Sequence, residues 1–166
     1  MANVSNDLEA VVNKYSDMLY KICFVILKDE HDVKDVLQET FLTYHTKKPT
    51  FASEDHKKAW LIKVSQNKCR EFLRFHKRHA TVPLENVDET MLITNGLSGE
   101  ESDLLSMVWN LNYKLKSVVI LYYIEGYSID ETAKILSISS HAAKKRLERA
   151  RNKLREEYEE GLAYEK

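Results

Sequence analysis

Residues 128–155, SIDETAKILSISSHAAKKRLERARNKLR, limit what this chain can fold into more than any other stretch. They predict a short helix, a tight turn and a longer basic helix, the plan of a DNA-reading helix-turn-helix. Ser128 is placed to cap the first helix, and Glu131, three residues on, completes a capping box. Ile129, Thr132, Ala133 and Leu136 form its inner face, with the small Ala133 where two helices must approach closely. Ile138 is an apolar plug in the turn, and Ser139 is an N-cap for the second helix. Ala143, Leu147, Ala150 and Leu154 recur at helical spacing and face inward. His141, Lys144, Lys145, Glu148 and Arg151 are left outside. From Lys144 to Arg155 seven cations (Lys144, Lys145, Arg146, Arg149, Arg151, Lys153 and Arg155) face only Glu148. Small residues at a helix start and cations along its length suit a major groove and its flanking phosphates. Yet a charged helix face is usually just solvated, and short basic helix pairs occur in many bundles. The rest of the chain has to decide.

A length of 166 residues allows one ordinary domain or two small ones. A hydrophobic fraction of 43% supplies real cores, and four glycines with two prolines point to an all-α chain with few turns. No apolar run reaches membrane-spanning length and the N-terminus lacks a signal pattern, so a cytoplasmic location is expected. Cys23 and Cys69 lack metal-ligand spacing and lie in apolar helical patterns, which predicts buried free thiols, with a disulfide as the alternative. The histidines form no ligand cluster, and His31 with Asp35 reads as a local electrostatic contact. Neither a cofactor nor a metal is expected.

The formal net charge of −1 argues at first against a nucleic-acid partner, but the distribution argues the other way. From Lys57 to Arg78 the cations Lys57, Lys58, Lys63, Lys68, Arg70, Arg74, Lys77 and Arg78 face only Glu71, whereas Thr81 to Ser106 holds six acidic residues and no Lys or Arg. Two cationic segments separated by an acidic one predict two separate contacts with a polyanion.

In chain order, Leu8, Val11, Val12, Tyr15, Leu19, Ile22 and Ile26 predict a first helix from about Asp7 to Lys28. Asp29 is the expected N-cap of a second helix with a buried stripe of Val33, Val36, Leu37, Thr40, Phe41 and Tyr44. Its other side is an acidic patch, and Lys47-Lys48-Pro49-Thr50 ends it. Ser53 or Asp55 starts a third, basic helix with Trp60, Leu61, Val64, Cys69, Phe72 and Phe75 buried. Lys63, Asn67, Arg70 and Arg74 lie toward its exposed side. Trp60 reads as core, while Phe51 divides evenly between core and a surface that stacks on bases. Residues 81–99 read as a flexible acidic linker. A helix resumes near Glu100, Leu111 to Leu115 is a break, and Val118 to Ile124 is a short apolar helix closed by Glu125-Gly126. The acidic tail, Glu156 to Lys166, is expected to fray. The architecture expected is therefore two small helical domains, residues 1–80 and 100–166, the second holding the helix-turn-helix.

With both halves laid out, the chain resembles the bacterial RNA polymerase sigma factors of the extracytoplasmic-function class. HDVKDVLQETFLTYH (His31 to His45) is similar to the segment by which such factors hold the polymerase clamp. AWLIKVSQNKCREFLRFHKR (Ala59 to Arg78) is similar to the helix that reads and opens the downstream promoter element. SVVILYYIEGYSIDETAKIL and SSHAAKKRLERARNKLR together resemble the module that binds the upstream element. Two departures stand out: the family usually has Leu-Pro where this chain has Leu111-Asn112, and Gly where it has Ser137 in the turn. A β-branched residue is also usual where Ala143 sits.

The resemblance implies a protein that binds core RNA polymerase, directs it to a promoter and helps separate the strands, with no enzymatic activity of its own. It implies polymerase contacts at Asp32, Asp35, Gln38 and Glu39, in keeping with an acidic, amide-bearing face that suits a basic partner. For the downstream element it implies Lys63, Asn67, Arg70 and Arg74, with a loop at Lys48 to His56 to accept a flipped base. For the upstream element it implies Ser140, His141, Lys144 and Lys145 at base edges and Arg149 and Arg151 at phosphates. An anti-sigma protein is an implied further partner. The rivals are a stand-alone helix-turn-helix regulator and, further off, a metal-dependent nuclease on Asp32, Asp35 and Glu39.

Overall fold

The computed structural model describes residues 2–79 and 106–164, and the chain divides into two compact units, Met1–Val82 and Pro83–Lys166. Every regular element among the described residues is helical, as expected from the scarcity of glycine and proline. The expected linker, residues 81–99, and the resumption of helix near Glu100 lie outside the described residues.

The first unit is three long helices, α1 (Ala2–Leu27), α2 (Glu30–Lys47) and α3 (Glu54–His79). The α1 stripe of Val11, Tyr15, Leu19 and Ile22 is buried, and the helix then becomes buried all round from Ile22 to Leu27. That run is the centre of the unit. Asp29 caps α2, its carboxylate accepting from the Asp32 amide at 3.0 Å, and Val33, Val36, Thr40, Phe41 and Tyr44 are buried beneath it. Ser53 caps α3 by accepting from the His56 amide at 3.2 Å. Full burial of Leu19, Leu61 and Ile62 contributes about 2–3 kcal/mol for each side chain. Cys23 and Cys69 are buried free thiols, as their apolar surroundings in the sequence imply.

The buried series of α3 differs from the expected one. Ile62, Ser65 and Gln66 join Leu61 and Cys69 in the core, Trp60, Val64 and Phe72 are half-buried, and Phe75 is 60% exposed. The inward stripe of a helix drifts slowly across positions, and from Cys69 it continues through Phe72 and His76, leaving Phe75 about a third of a turn away. Phe51 falls on the core side of its divided reading. Its ring stacks on Tyr44 at 6.5 Å and meets Trp60 edge-on at 5.8 Å, closing an aromatic trio.

In the second unit, residues 106–109 are helical and lead to α4 (Tyr113–Val119), which runs on as a π-helical stretch, Ile120–Ile124. The expected break is shorter than Leu111 to Leu115, because Asn112 is an N-cap: its side chain accepts from the Leu115 amide at 3.1 Å. Asn112 therefore starts a helix inside the expected break. The π-helical ladder shows in the bond from the Glu125 amide to the Ile120 carbonyl at 2.9 Å. Gly126 then turns the chain with φ +77°, a conformation open to a residue without Cβ.

The helix-turn-helix follows as α5 (Ile129–Leu136) and α6 (Ser140–Tyr164). The capping box is present in full: the Glu131 amide donates to Ser128 Oγ at 3.1 Å and the Ser128 amide to Glu131 Oε2 at 2.9 Å. Ser139 accepts from the Ala142 amide at 3.0 Å. Ala143, Leu147 and Ala150 are buried on α6, as are Val118 and Leu121 before the motif, whereas Leu154 is half-buried. On α5 Thr132, Ala133 and Ile135 are buried, and Ile129 and Leu136, expected on its inner face, are half-buried. Ser137 takes up the left-handed turn conformation, φ 56° and ψ 44°, that glycine usually supplies. The tail departs from the expected fraying, since α6 continues through Glu156 to Tyr164. Among the described residues no helix is long and apolar enough to cross a membrane.

Candidate polymerase and nucleic-acid interfaces

On α2 the buried stripe turns Asp35, Gln38 and Glu39 to the outside and leaves Asp32 half-buried at the N-terminal end. These four occupy one side of the helix because they recur at three- and four-residue steps. Asp32 lies lowest in the patch. Burial pushes its carboxyl above the usual range, the neighbouring Asp29 adds to this, and His76 of α3 partly offsets it. At the other end Glu39 meets Lys68 of α3 at 3.8 Å. The acidic face is thus rimmed by two α3 residues, Lys68 and His76, that were not singled out as members of any site. Helical periodicity identifies a face, but not the side chains a neighbouring helix lays along its edge.

Among the described residues no three His, Cys, Asp or Glu side chains converge as a metal ion requires. Asp32, Asp35 and Glu39 are instead strung along a helix surface.

The second face belongs to α3. Lys63 and Asn67 are half-buried, and Arg70 and Arg74 exposed, at steps of four, three and four residues. They share one stripe, with the exposed Phe75 beside Arg74. Phe75 packs edge-on to His76 at 5.8 Å, and His76 in turn lies 3.9 Å from the Phe72 ring. The loop before α3 is ordered by its own contacts: the Lys48 amide bonds to the Tyr44 carbonyl at 3.0 Å, and Phe51 is held between Tyr44 and Trp60. Phe51 is therefore committed to packing, whereas Phe75 is the aromatic that the first unit leaves exposed on its basic helix.

The third face is the start of α6. Ser140, His141, Lys144 and Lys145 are all exposed. An open groove of about 520 Å³ is lined by Tyr122, Ser128, Ile129, Asp130, Ser140, His141 and Lys144. Ser140 Oγ donates to Asp130 Oδ1 at 2.6 Å, tying the two helices of the motif together at their outer edge. Lys145 pairs with Glu148 at 3.7 Å, on the surface, where such a pair contributes little. Arg149 is exposed. Arg151 hydrogen-bonds to the Tyr123 hydroxyl and lies over the Tyr122 and Tyr123 rings at 5.9 and 5.5 Å. That guanidinium braces α6 against the π-helical stretch. Asp130, Tyr122 and Tyr123 escaped the sequence reading because they sit 10 to 29 residues from their partners.

Comparison with known proteins identifies the family of the chain. Residues 11–79 match the family model for sigma-70 region 2, and residues 102–154 that for sigma-70 region 4. The chain is 27% identical over 168 residues to the ECF RNA polymerase sigma factor SigM of Bacillus subtilis (strain 168), covering 93% of this chain and 97% of that one. It is 30% identical over 138 residues to the RNA polymerase sigma factor CnrH of Cupriavidus metallidurans (strain ATCC 43123 / DSM 2839 / NBRC 102507 / CH34), covering 75% and 72%. The solved structure of CnrH in complex with the cytosolic domain of CnrY matches with a TM-score of 0.68 at 25% identity, over 93% of this chain and 89% of that one. A region 2 match removes the reading of a stand-alone helix-turn-helix regulator. The chain belongs to the RNA polymerase sigma factors of the extracytoplasmic-function class, which direct the polymerase to specific promoters.

Proposed function

We propose that this sigma factor divides its work among the three faces. Residues 1–80 act as the region 2 domain and residues 100–166 as the region 4 domain, with 81–99 as the linker. Asp32, Asp35, Gln38 and Glu39 hold the polymerase clamp. Lys63, Asn67, Arg70 and Arg74 bind the downstream element and track the strand as it opens. Ser140, His141, Lys144 and Lys145 read upstream base edges, while Arg149 and Arg151 reach phosphates. The observation that carries this reading is the pairing of opposite charges in one three-helix unit: an exposed acidic face on α2 that meets the basic helix α3 at Glu39 and Lys68.

The physics of each face fits its assigned role. Exposed carboxylates and an amide on a rigid helix complement basic residues on another protein and set orientation as well as attraction. Cations along one helix stripe bind phosphates with little sequence information, so the downstream contact supplies affinity and holds the separated strand. Strand opening needs no bond-making by the chain, only stabilisation of unstacked bases, so the protein acts without enzymatic chemistry. Two small DNA-binding units on one chain gain effective concentration when polymerase fixes their separation, so the holoenzyme binds promoters far more tightly than the free chain. The solved complex of CnrH with the cytosolic domain of CnrY supports a protein partner for this chain too, the anti-sigma protein that the resemblance implies, and a cytoplasmic location fits work on the polymerase.

Co-purification with cognate core RNA polymerase tests the clamp assignment. Wild type is expected to bind stably, and Asp35→Ala/Glu39→Ala to bind at least about tenfold more weakly, since each truncation strands a charge on the partner. Undiminished binding by the folded double variant moves the clamp contact off α2.

A further inference from the structure

Ser140 opens the recognition helix α6 with its hydroxyl proton already in use. A serine hydroxyl has one proton to donate and two lone pairs to accept with. Here the proton is directed at Asp130 Oδ1, 2.6 Å away. An O–H···carboxylate bond of that length is among the stronger hydrogen bonds, so a neutral base atom competes poorly for the proton. What Ser140 still offers outward is its lone pairs. The residue is exposed and lines the open groove shared by Asp130, His141 and Lys144.

The major-groove edges divide cleanly with respect to such a group. Adenine N6 and cytosine N4 carry hydrogen-bond donors, whereas guanine O6 and N7 and thymine O4 are acceptors only. An acceptor facing an acceptor leaves both groups unsatisfied, and the Asp130 carboxylate adds negative charge on the same side. We infer that Ser140, locked by Asp130, is an acceptor-only reader that selects adenine or cytosine over guanine or thymine at one position of the upstream element. Asp130 is the positioning residue: it fixes the polarity of the hydroxyl. The inference rests on the proposed docking of the α6 start against upstream bases.

The test is holoenzyme binding to a promoter library randomised through both elements, with the bound fraction sequenced for wild type, Ser140→Ala, Asp130→Ala and Asp130→Asn. In wild type, one upstream position is expected to favour adenine or cytosine by about three- to tenfold, the size of one hydrogen bond. Ser140→Ala flattens that position alone. Asp130→Ala releases the hydroxyl proton, so guanine and thymine become acceptable there while preferences elsewhere, including the downstream element, persist. If Ser140→Ala changes no position, the docking fails and the inference with it. If Ser140→Ala does flatten a position, but wild type prefers guanine or thymine there, or Asp130→Ala leaves the preference intact, the docking stands and the acceptor-only reading is overturned. Should Asp130→Ala flatten every upstream position by unfolding α5, Asp130→Asn decides: its weaker neutral acceptor must relax the preference at least about twofold at that position, and an unchanged preference overturns the inference.

Discussion

The first unit is built from helices of 26, 18 and 26 residues, whereas the second packs the seven-residue α4 with its five-residue π-helical continuation, and the eight-residue α5, against the longer α6. In water, helices shorter than about 12–15 residues are marginal on their own. α4 and α5 therefore depend on what happens at their ends and on α6. Asn112 caps one, and Ser128 with Glu131 boxes the other in both directions. α2 and α3 are capped too, by Asp29 and Ser53, but there a cap is a small addition to a long buried stripe. The difference suits the two proposed tasks. Holding a polymerase and a melted strand would call for long rigid faces, while reading a groove would call for a short helix pair held at a fixed angle.

The largest expected effect tests whether the units are energetically separate. Leu61 and Leu147 are both essentially unexposed, one in each unit. Truncation of either to alanine should cost about 3 kcal/mol, from lost transfer energy and the cavity left behind. The chain has one tryptophan in each unit, Trp60 and Trp109, so Trp60→Phe and Trp109→Phe backgrounds report the units one at a time in denaturant. Leu61→Ala should lower only the midpoint read by Trp60, and Leu147→Ala only that read by Trp109. Parallel shifts in both reporters would mean that the units unfold as one.

A smaller effect sharpens the contrast in capping. Ser128→Ala removes half of the capping box and should cost the second unit about 1 kcal/mol. Ser53→Ala, at the head of a 26-residue helix, should cost about 0.5 kcal/mol, because the first turn of α3 can fray without releasing its core. Amide hydrogen exchange localises each loss: α5 should exchange faster along its whole length, α3 only in its first turn. Equal losses, or whole-helix exchange in α3, would remove helix length as the reason.

The same distinction explains what the sequence made legible. Caps at Asp29, Ser128 and Ser139 were readable because donor and acceptor lie within four residues of each other, as were the stripes on α1, α2 and α6, which repeat with the helix. Ser137 in its left-handed turn was readable as a departure from glycine. Lys28 and Lys48, also left-handed at φ 63° and 46°, carry no such signal, since lysine is an ordinary surface residue. Phe75 was misread because period alone does not say where a stripe has drifted after six turns of α3. The faces of the site were legible for the same periodic reason. The contacts that give those faces their chemistry, Glu39 with Lys68, Ser140 with Asp130 and Arg151 with Tyr123, join different elements and depend on tertiary packing.

The smallest expected effect is a dependence on pH that belongs to the first unit. Glu54 accepts from the Tyr15 hydroxyl at 2.7 Å and from the Lys14 ammonium at 3.1 Å, and these bonds, Tyr15 first, hold its carboxyl down to about 2 from an ordinary 4.5. A depressed carboxyl stabilises the fold above the unfolded value, and that contribution is lost as pH falls from about 4.5 toward 2. Tyr44 works in the opposite sense. Burial, helped by its hydrogen bond to Asp7 at 2.6 Å, pushes its hydroxyl up to about 12 from 10.0. Its contribution is complete below pH 10 and is lost as pH rises from 10 toward 12. Glu54 is well exposed to water, which screens its ion pair, so the acid limb should be shallow. The midpoint read by Trp60 should therefore be level across neutral pH and sag at both ends. Glu54→Gln should flatten the acid limb, and Tyr44→Phe the alkaline one, without moving the midpoint read by Trp109. An acid limb unchanged in Glu54→Gln would assign that loss to other carboxylates and leave the α1–α3 contact energetically silent, so that the long helices of the first unit would rest on their buried stripes alone.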